Sequence, residues 1–139
     1  MKITRTDPPG INSFPGLITQ VVQPHSAELA YISGQVAADA DGEIVGKDNH
    51  AQQAERIADN IDAILESLGV THDSIVKEII YAVHWHPDLL PFVIGPLRRN
   101  TSEPPASTLI GVTALFHPDA LLEVEIVVAV TPSQVANSQ

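Results

Sequence analysis

A long amphipathic helix is the feature of this sequence that most limits its possible folds. From about His50 to Leu68, apolar side chains recur at the three- and four-residue spacing of a helix and fill an arc of roughly 120°. Asn49 and Gln52 resemble an N-terminal capping box, and Gly69 suits the left-handed position that ends a helix. The stripe comprises Ala54, Ile57, Ala58, Ile61, Ile64, Leu65 and Leu68. Such a stripe has to be buried, so the rest of the chain must cover it.

Short β-like runs before and after this helix predict that covering surface. Two runs, 17–23 and 28–37, flank Pro24-His25-Ser26 and predict a hairpin. After the helix, the pattern predicts strands over 74–84, 108–115 and 121–131, and a second, proline-interrupted helix over 87–100. The order β-β-α-β-α-β-β favours the α+β class, with both helices on one face of a sheet. We expect a single domain over residues 1–139, with an irregular arm at 1–14 and a polar tail at 132–139.

Composition excludes several classes of function. The chain of 139 residues contains no cysteine, which rules out disulfides, thiol nucleophiles and thiolate metal sites. Its net charge of −10 opposes binding to nucleic acid or to an anionic membrane, because both partners are themselves negative. No apolar run approaches the ~20 residues that cross a bilayer, and no secretory segment follows the start. We therefore expect a cytoplasmic protein.

The final strand indicates that the chain associates with itself. Its second half, 126–130, is apolar at every position and therefore on both alternating faces. Two helices can cover only one face of a sheet, so something else must cover the other. A second copy of the chain is the simplest cover.

Two carboxylates on this strand are candidates for acid–base chemistry. Glu123 and Glu125 are two residues apart, so a strand projects both from the same face. Neighbouring carboxyl groups can hold a proton near neutral pH, as a general acid must. Alternatively, both could be solvated at a sheet end or paired with basic groups between subunits.

Histidines and arginines give weaker signals. His84 and His86 lie on one face at a strand end, which is half of a metal site, but no third ligand accompanies them and no metal is predicted. Arg98 and Arg99 could clamp a substrate carboxylate. Basic residues at a helix C-terminus more often complement the helix dipole, and this interpretation is favoured for at least one of them.

Four further positions could contact a ligand through the backbone or a hydroxyl. Gly34, after Ser33, lies inside a β-like run, where glycine often marks a bulge or a close approach of a ligand. Ser107 and Thr108 offer hydroxyl groups at a strand start. None of these serines has a recognisable His-Asp partnership in the sequence.

Taken together, these segments resemble the RidA/YjgF family of reactive-intermediate deaminases, also labelled L-PSP endoribonuclease-like. The resemblance covers about residues 15 to 131, in the family's order and roughly its spacing. The matching segments are Tyr31-Ile32-Ser33-Gly34-Gln35-Val36, Gly42-Glu43-Ile44-Val45-Gly46, Gln53-Ala54-Glu55, Asn60-Ile61, Gly69, Asp73-Ser74-Ile75-Val76-Lys77, Pro105-Ala106-Ser107-Thr108 and Leu121 to Val130.

The resemblance implies a chorismate-mutase-like α+β subunit with a mixed sheet, assembled as a barrel-like homotrimer with three inter-subunit clefts. It also implies cofactor-independent hydrolysis of enamines or imines to a keto acid and ammonia. Glu123 matches the family's glutamate beside the reacting water. Ser107, however, stands where the deaminases carry the arginine that binds the substrate carboxylate, and Ile18 or a neighbour replaces their tyrosine. The chain therefore resembles an arginine-lacking branch.

Two functions of different class follow as hypotheses. In the first, the cleft is an enzyme site for hydrolytic deamination of a small imine or enamine, such as a 2-aminomuconate-like compound. Its residues are Glu123 as acid–base catalyst and Ser33, Gly34, Ser107, Thr108 and Ile18 as substrate contacts. In the second, the homotrimer binds a small metabolite without turnover, as a regulator. A nuclease ranks third because of the acidic charge.

Overall fold

The computed structural model, which describes residues 1–132, contains a four-stranded mixed sheet with two α-helices on one face and a separate two-stranded ribbon. The predicted α+β class is confirmed. The strands are β1 (Lys2–Thr6), β2 (Val21–His25), β3 (Glu28–Gln35), β4 (Ile75–Val83), β5 (Ala106–Val112) and β6 (Leu122–Val130), and the helices are α1 (His50–Leu68) and α2 (Leu90–Arg98). Short 3₁₀ turns cover His72–Ser74 and Pro87–Leu89. No helix within residues 1–132 combines the length and apolarity needed to cross a membrane.

One of the two central strands of the sheet, β6, is the last strand in sequence. The strand order is β3-β6-β4-β5, and β6 runs antiparallel to both of its neighbours. β4 and β5 are parallel, and α2 lies in the connection that parallel neighbours require. Residues from α1, α2, β4 and β6 form one buried core between the helices and the sheet.

Helix α1 has the predicted ends and almost the predicted buried face. The side chain of Asn49 accepts a hydrogen bond of 2.9 Å from the backbone N–H of Gln52, and Gly69 adopts a left-handed φ of 69°. Ile57, Ile61 and most of the stripe are buried. Two members of the stripe differ: Leu68, on the last turn, is exposed, and Ile64 is only partly buried.

The N-terminal region departs from prediction. Residues 2–6 are not irregular, because β1 pairs with β2 from Lys2 opposite His25 to Thr6 opposite Val21. The predicted hairpin is also wrong: β3 pairs with β6 instead of β2. Residues 17–20, predicted to begin a strand, lie outside β2: Leu17 ends a turn over 15–17, in which its N–H donates to the carbonyl of Phe14. The predicted polar tail lies, from residue 133 onward, outside the described residues.

Alternation along the strands divides the sheet into a helix-covered face and an open face. Buried Val124 and Ile80 pair across β6 and β4 on the helix-covered face. Glu123 and Tyr81 pair on the open face. Along β5, which begins two residues before the predicted strand, the register places Ser107 and Leu109 on the helix-covered face and Thr108 and Ile110 on the open face.

Candidate active site

The open face carries a cluster of one tyrosine and two carboxylates. Glu123 and Glu125 project from the same face, as their spacing predicts, and Tyr81 lies beside them on β4. The Tyr81 hydroxyl donates a short hydrogen bond to Oε1 of Glu125. This hydrogen bond, together with partial desolvation and the nearby negative charge of both glutamates, raises the pKa of Tyr81 above its ordinary value. The phenol therefore keeps its proton and holds Glu125 in place.

Glu123 is held differently from Glu125. Among the described residues, no hydrogen bond or ion pair engages its carboxylate. It is half-buried against β3. Of the two acids, Glu123 is thus the one with both oxygens available to a water molecule or a ligand.

The absence of a side chain at position 34 leaves room for the carboxylate of Glu123. The ladder between β3 and β6 contains a bulge, in which Ser33 and Gly34 lie opposite the single residue Glu125. A Cβ at position 34 would lie 2.0 Å from Oε2 of Glu123. The predicted bulge is confirmed, and the group that approaches this backbone closely is the carboxylate of Glu123.

A second candidate site lies on the opposite face, between β5, α2 and the segment before β2. The hydroxyl of Thr19 donates to the carbonyl of Pro104 at 2.6 Å, which holds this segment against the start of β5. Ile18 and Ser107 consequently line the same apolar groove of about 180 Å³. Its lining consists of Phe14, Leu17, Ile18, Ile80, Leu90, Ile94, Ser107 and Leu109.

A buried ion pair lies beneath this groove. Arg98 binds Glu78 through two hydrogen bonds, Nη1 to Oε2 at 2.9 Å and Nη2 to Oε1 at 2.8 Å. Ser107 Oγ donates to the same Oε1 at 2.6 Å. The sequence predicts that Arg98 binds a substrate carboxylate or complements the dipole of its helix. Instead, its guanidinium is bonded to the carboxylate of Glu78 in the same chain. Glu78 was missed by the sequence analysis, although a charge at a buried position of a strand signals a hidden partner.

The predicted contacts do not form one site within a single chain. Ser107 lies on the helix-covered face, whereas Glu123 and Thr108 lie on the open face. Thr108 Oγ1 accepts a hydrogen bond from Lys77 Nζ at 3.0 Å. Because neighbouring residues of a strand point to opposite sides, Ser107 and Thr108 cannot contact the same group within one chain.

The other basic candidates have structural partners. Arg99 donates to Glu55, Asp59 and Asp62 and thereby joins α2 to α1. His86 caps the turn that follows it, accepting from the N–H of Asp88 at 3.2 Å. Within residues 1–132, no three His, Asp or Glu side chains are arranged so that they could hold a metal ion.

Known proteins share this fold. YyfB of Yersinia pestis, a protein of unknown function of the Rid family, superposes with a TM-score of 0.87 at 28% identity, covering 94% of this chain and 100% of that one. RidA from an Antarctic Psychrobacter superposes with a TM-score of 0.63 at 25% identity, covering 88% and 93%. A RutC family protein of Saccharolobus solfataricus is 31% identical over 101 residues, which are 72% of this chain and 78% of the relative.

These similarities define the class as the Rid-type α+β proteins. The family described as Endoribonuclease L-PSP matches residues 17–130, which is most of the chain. The chain belongs to this family, and the resemblance to RidA/YjgF is confirmed.

Proposed function

We propose that this protein is a homotrimeric hydrolase that converts a small imine or enamine to a carbonyl compound and ammonia, with Glu123 as the acid–base group. The observation that carries the proposal is the position of the Glu123 carboxylate: it lies over the Gly34 bulge and has no intramolecular partner among the described residues. A general base must be able to reach a water molecule, and Glu123 meets that requirement whereas Glu125 is bonded to Tyr81.

The chemistry requires one group that both takes and returns a proton. In the first step, water adds to the carbon of the C=N bond while Glu123 takes a proton from that water, and Glu123 then returns this proton to the nitrogen to give a carbinolamine. In the second step, Glu123 takes the hydroxyl proton of the carbinolamine and returns it to the nitrogen as the C–N bond breaks, so that the carbonyl forms and ammonia leaves. An enamine enters the same route after protonation at carbon. No redox partner is needed, because hydrolysis leaves the net oxidation level of the substrate unchanged.

Assembly would complete the site. Apolar side chains remain uncovered on the open face of one chain, where Tyr31 is 76% exposed, Leu29 44% and Ile110 41%. A neighbouring copy that buried these apolar side chains would also exclude water from the cluster of Tyr81, Glu123 and Glu125. Excluding water strengthens the electrostatic interactions within that cluster. Since Ser107 and Glu123 lie on opposite faces of one sheet, a cleft that contains both can form only between two subunits.

A non-catalytic metabolite-binding trimer is the second candidate. The resemblance implies that the deaminases of the family bind a substrate carboxylate through an arginine, and in this chain Ser107 stands at that position. Arg98 does not take over that role, because its guanidinium is bonded to Glu78. Both features favour binding without turnover. The word endoribonuclease in the family's description refers to RNA cleavage. The net charge of −10 opposes binding to RNA, so we do not propose that activity.

A screen for ammonia release separates the two candidates. The purified full chain is incubated with imines and enamines generated in place, some uncharged and one, 2-iminopropanoate, with a carboxylate. We expect accelerated ammonia release from at least one uncharged compound and none from 2-iminopropanoate. Saturable binding of these compounds without ammonia release would support the metabolite-binding alternative and overturn the hydrolase.

A further inference from the structure

We propose that the carboxylate of Glu78 binds the Arg98 guanidinium in the place that a ligand carboxylate would otherwise take, so that the groove beside Ser107 accepts only uncharged parts of a substrate. This inference rests on the proposed function and narrows its substrate class: imines and enamines whose group in the groove carries no carboxylate. Glu78 is therefore a specificity-determining residue, although it does not itself line the groove.

The hydrogen bonds of Arg98 leave neither edge of its guanidinium free to bind a ligand carboxylate through two hydrogen bonds. A guanidinium can bind a carboxylate through its two Nη atoms or through Nε and one Nη. Glu78 occupies the first edge at 2.8 and 2.9 Å. The carbonyl of Leu17 accepts from Nε at 2.7 Å and so occupies part of the second edge.

Burial makes this arrangement hard to displace. The side chains of Arg98 and Glu78 are 8% and 2% exposed. An incoming carboxylate would have to displace one that is held by Arg98 and Ser107 together. The displaced Glu78 would then remain buried without a partner, which is strongly unfavourable.

The surroundings of the groove fit an uncharged group. An adjoining cavity of about 370 Å³ shares Leu17, Leu90 and Ile94 with the groove. Arg98 is the one charged residue in the described lining of either, and Glu78 neutralises it. Ser107 Oγ, which donates to Glu78, keeps its lone pairs for a donor such as an amide or imine N–H.

Benzamide and benzoate test this inference because they have nearly the same shape and differ in charge. Their dissociation constants are measured by NMR titration of the full chain. We expect the wild type to bind benzamide at least ten-fold more tightly than benzoate, with shifts at Ser107 and Leu109. Equal binding of the two probes, or no binding of either, would overturn the inference.

Glu78→Gln tests the role of the pair itself. Without the internal carboxylate, Arg98 should bind benzoate at least ten-fold more tightly than the wild-type protein does. The double variant Glu78→Gln with Arg98→Met is the matched control and should show no such gain. A folded Glu78→Gln protein without the gain would overturn the inference; where circular dichroism shows this variant unfolded, the wild-type comparison decides.

These binding measurements are independent of turnover. Tight benzoate binding by the wild type would remove the substrate restriction and leave hydrolysis by Glu123 intact. Conversely, ammonia release that does not depend on Glu123 would overturn the proposed function without affecting the measured preference of the groove.

Discussion

The carboxylate of Glu123 lies directly against the backbone of Gly34, at the bulge where β3 leaves its register with β6. A Cβ at position 34 would be 2.0 Å from Oε2, closer than non-bonded atoms can approach. The glycine therefore leaves room for this position of the Glu123 side chain, and its own φ is not in the left-handed region. The position of the proposed catalytic group depends on the missing side chain.

Gly34→Ala is expected to displace the Glu123 carboxylate and to lower the rate of ammonia release by about 10²-fold, the effect of a misplaced catalytic group. Gly111→Ala is the matched control, because its Cβ would lie 3.6 Å from Cβ of Trp85, an ordinary contact. Steady-state kinetics of both variants, with circular dichroism to verify folding, make the comparison. Wild-type activity in Gly34→Ala would contradict the assigned position of Glu123.

The Arg99 cluster gives a prediction about stability and pH. Arg99 Nη2 lies 2.7 Å from Asp59 Oδ1 and 2.6 Å from Asp62 Oδ2, and Nη1 lies 3.0 Å from Glu55 Oε2. Burial by itself would raise the pKa of Asp62, but hydrogen bonds and charge from Arg99 and His72 outweigh it and bring the pKa below its ordinary value. A lowered pKa in the folded state stabilises the fold above the unfolded-state pKa of about 3.9, and this contribution is lost as pH falls through the folded-state pKa.

Arg99→Met should therefore lower the free energy of unfolding at pH 7 by about 1 kcal/mol, a small value because these groups are partly solvated. The difference from the wild type should shrink below about pH 4 and in about 1 M salt. Urea unfolding at several pH values measures both effects. Lys47→Met is the control, since Lys47 is exposed and its Nζ lies 3.9 Å from Asp119. A difference that is unchanged at low pH would contradict the role of Asp62.

Tyr31 tests the proposed assembly. Its side chain is 76% exposed on the open face of the sheet. We expect the wild type to scatter light as a particle of three times 14.9 kDa, and Tyr31→Glu to dissociate because a charge would have to be buried in the interface. Phe92→Glu, on α2 and 58% exposed, should leave the mass unchanged. A wild type that stays monomeric at micromolar concentration would rule out the inter-subunit cleft.

Local patterns predicted the elements of this fold better than their pairing. Helix α1 could be predicted from the sequence because its signals are local: the spacing of its apolar residues and the capping by Asn49 and Gly69. The partner of a strand is not a local property. β3 pairs with β6, about a hundred residues later, and β2 pairs with β1, which carries no strong signal of its own.

The same distinction applies to the candidate site. Alternation placed Glu123 and Glu125 on one face, but it could not show that Tyr81 bonds only one of them, because this depends on the register between β4 and β6. Nor could it show that Ser107 and Glu123 lie on opposite faces. The paired state of Glu78 could have been predicted from the sequence. Glu78 lies two residues before buried Ile80 and therefore on the same face of β4, and a carboxylate buried there requires a partner.

Ammonia release by Glu123→Gln, measured on the uncharged substrate that the screen identifies, tests the central claim most directly. Glutamine preserves the size of the side chain but cannot exchange a proton, so kcat/KM should fall about 10²-fold or more while the mass of the assembly stays the same. Glu66→Gln, an exposed substitution on α1, should match the wild type. If Glu123→Gln releases ammonia at the wild-type rate, Glu123 is not the acid–base group and the proposed mechanism is wrong.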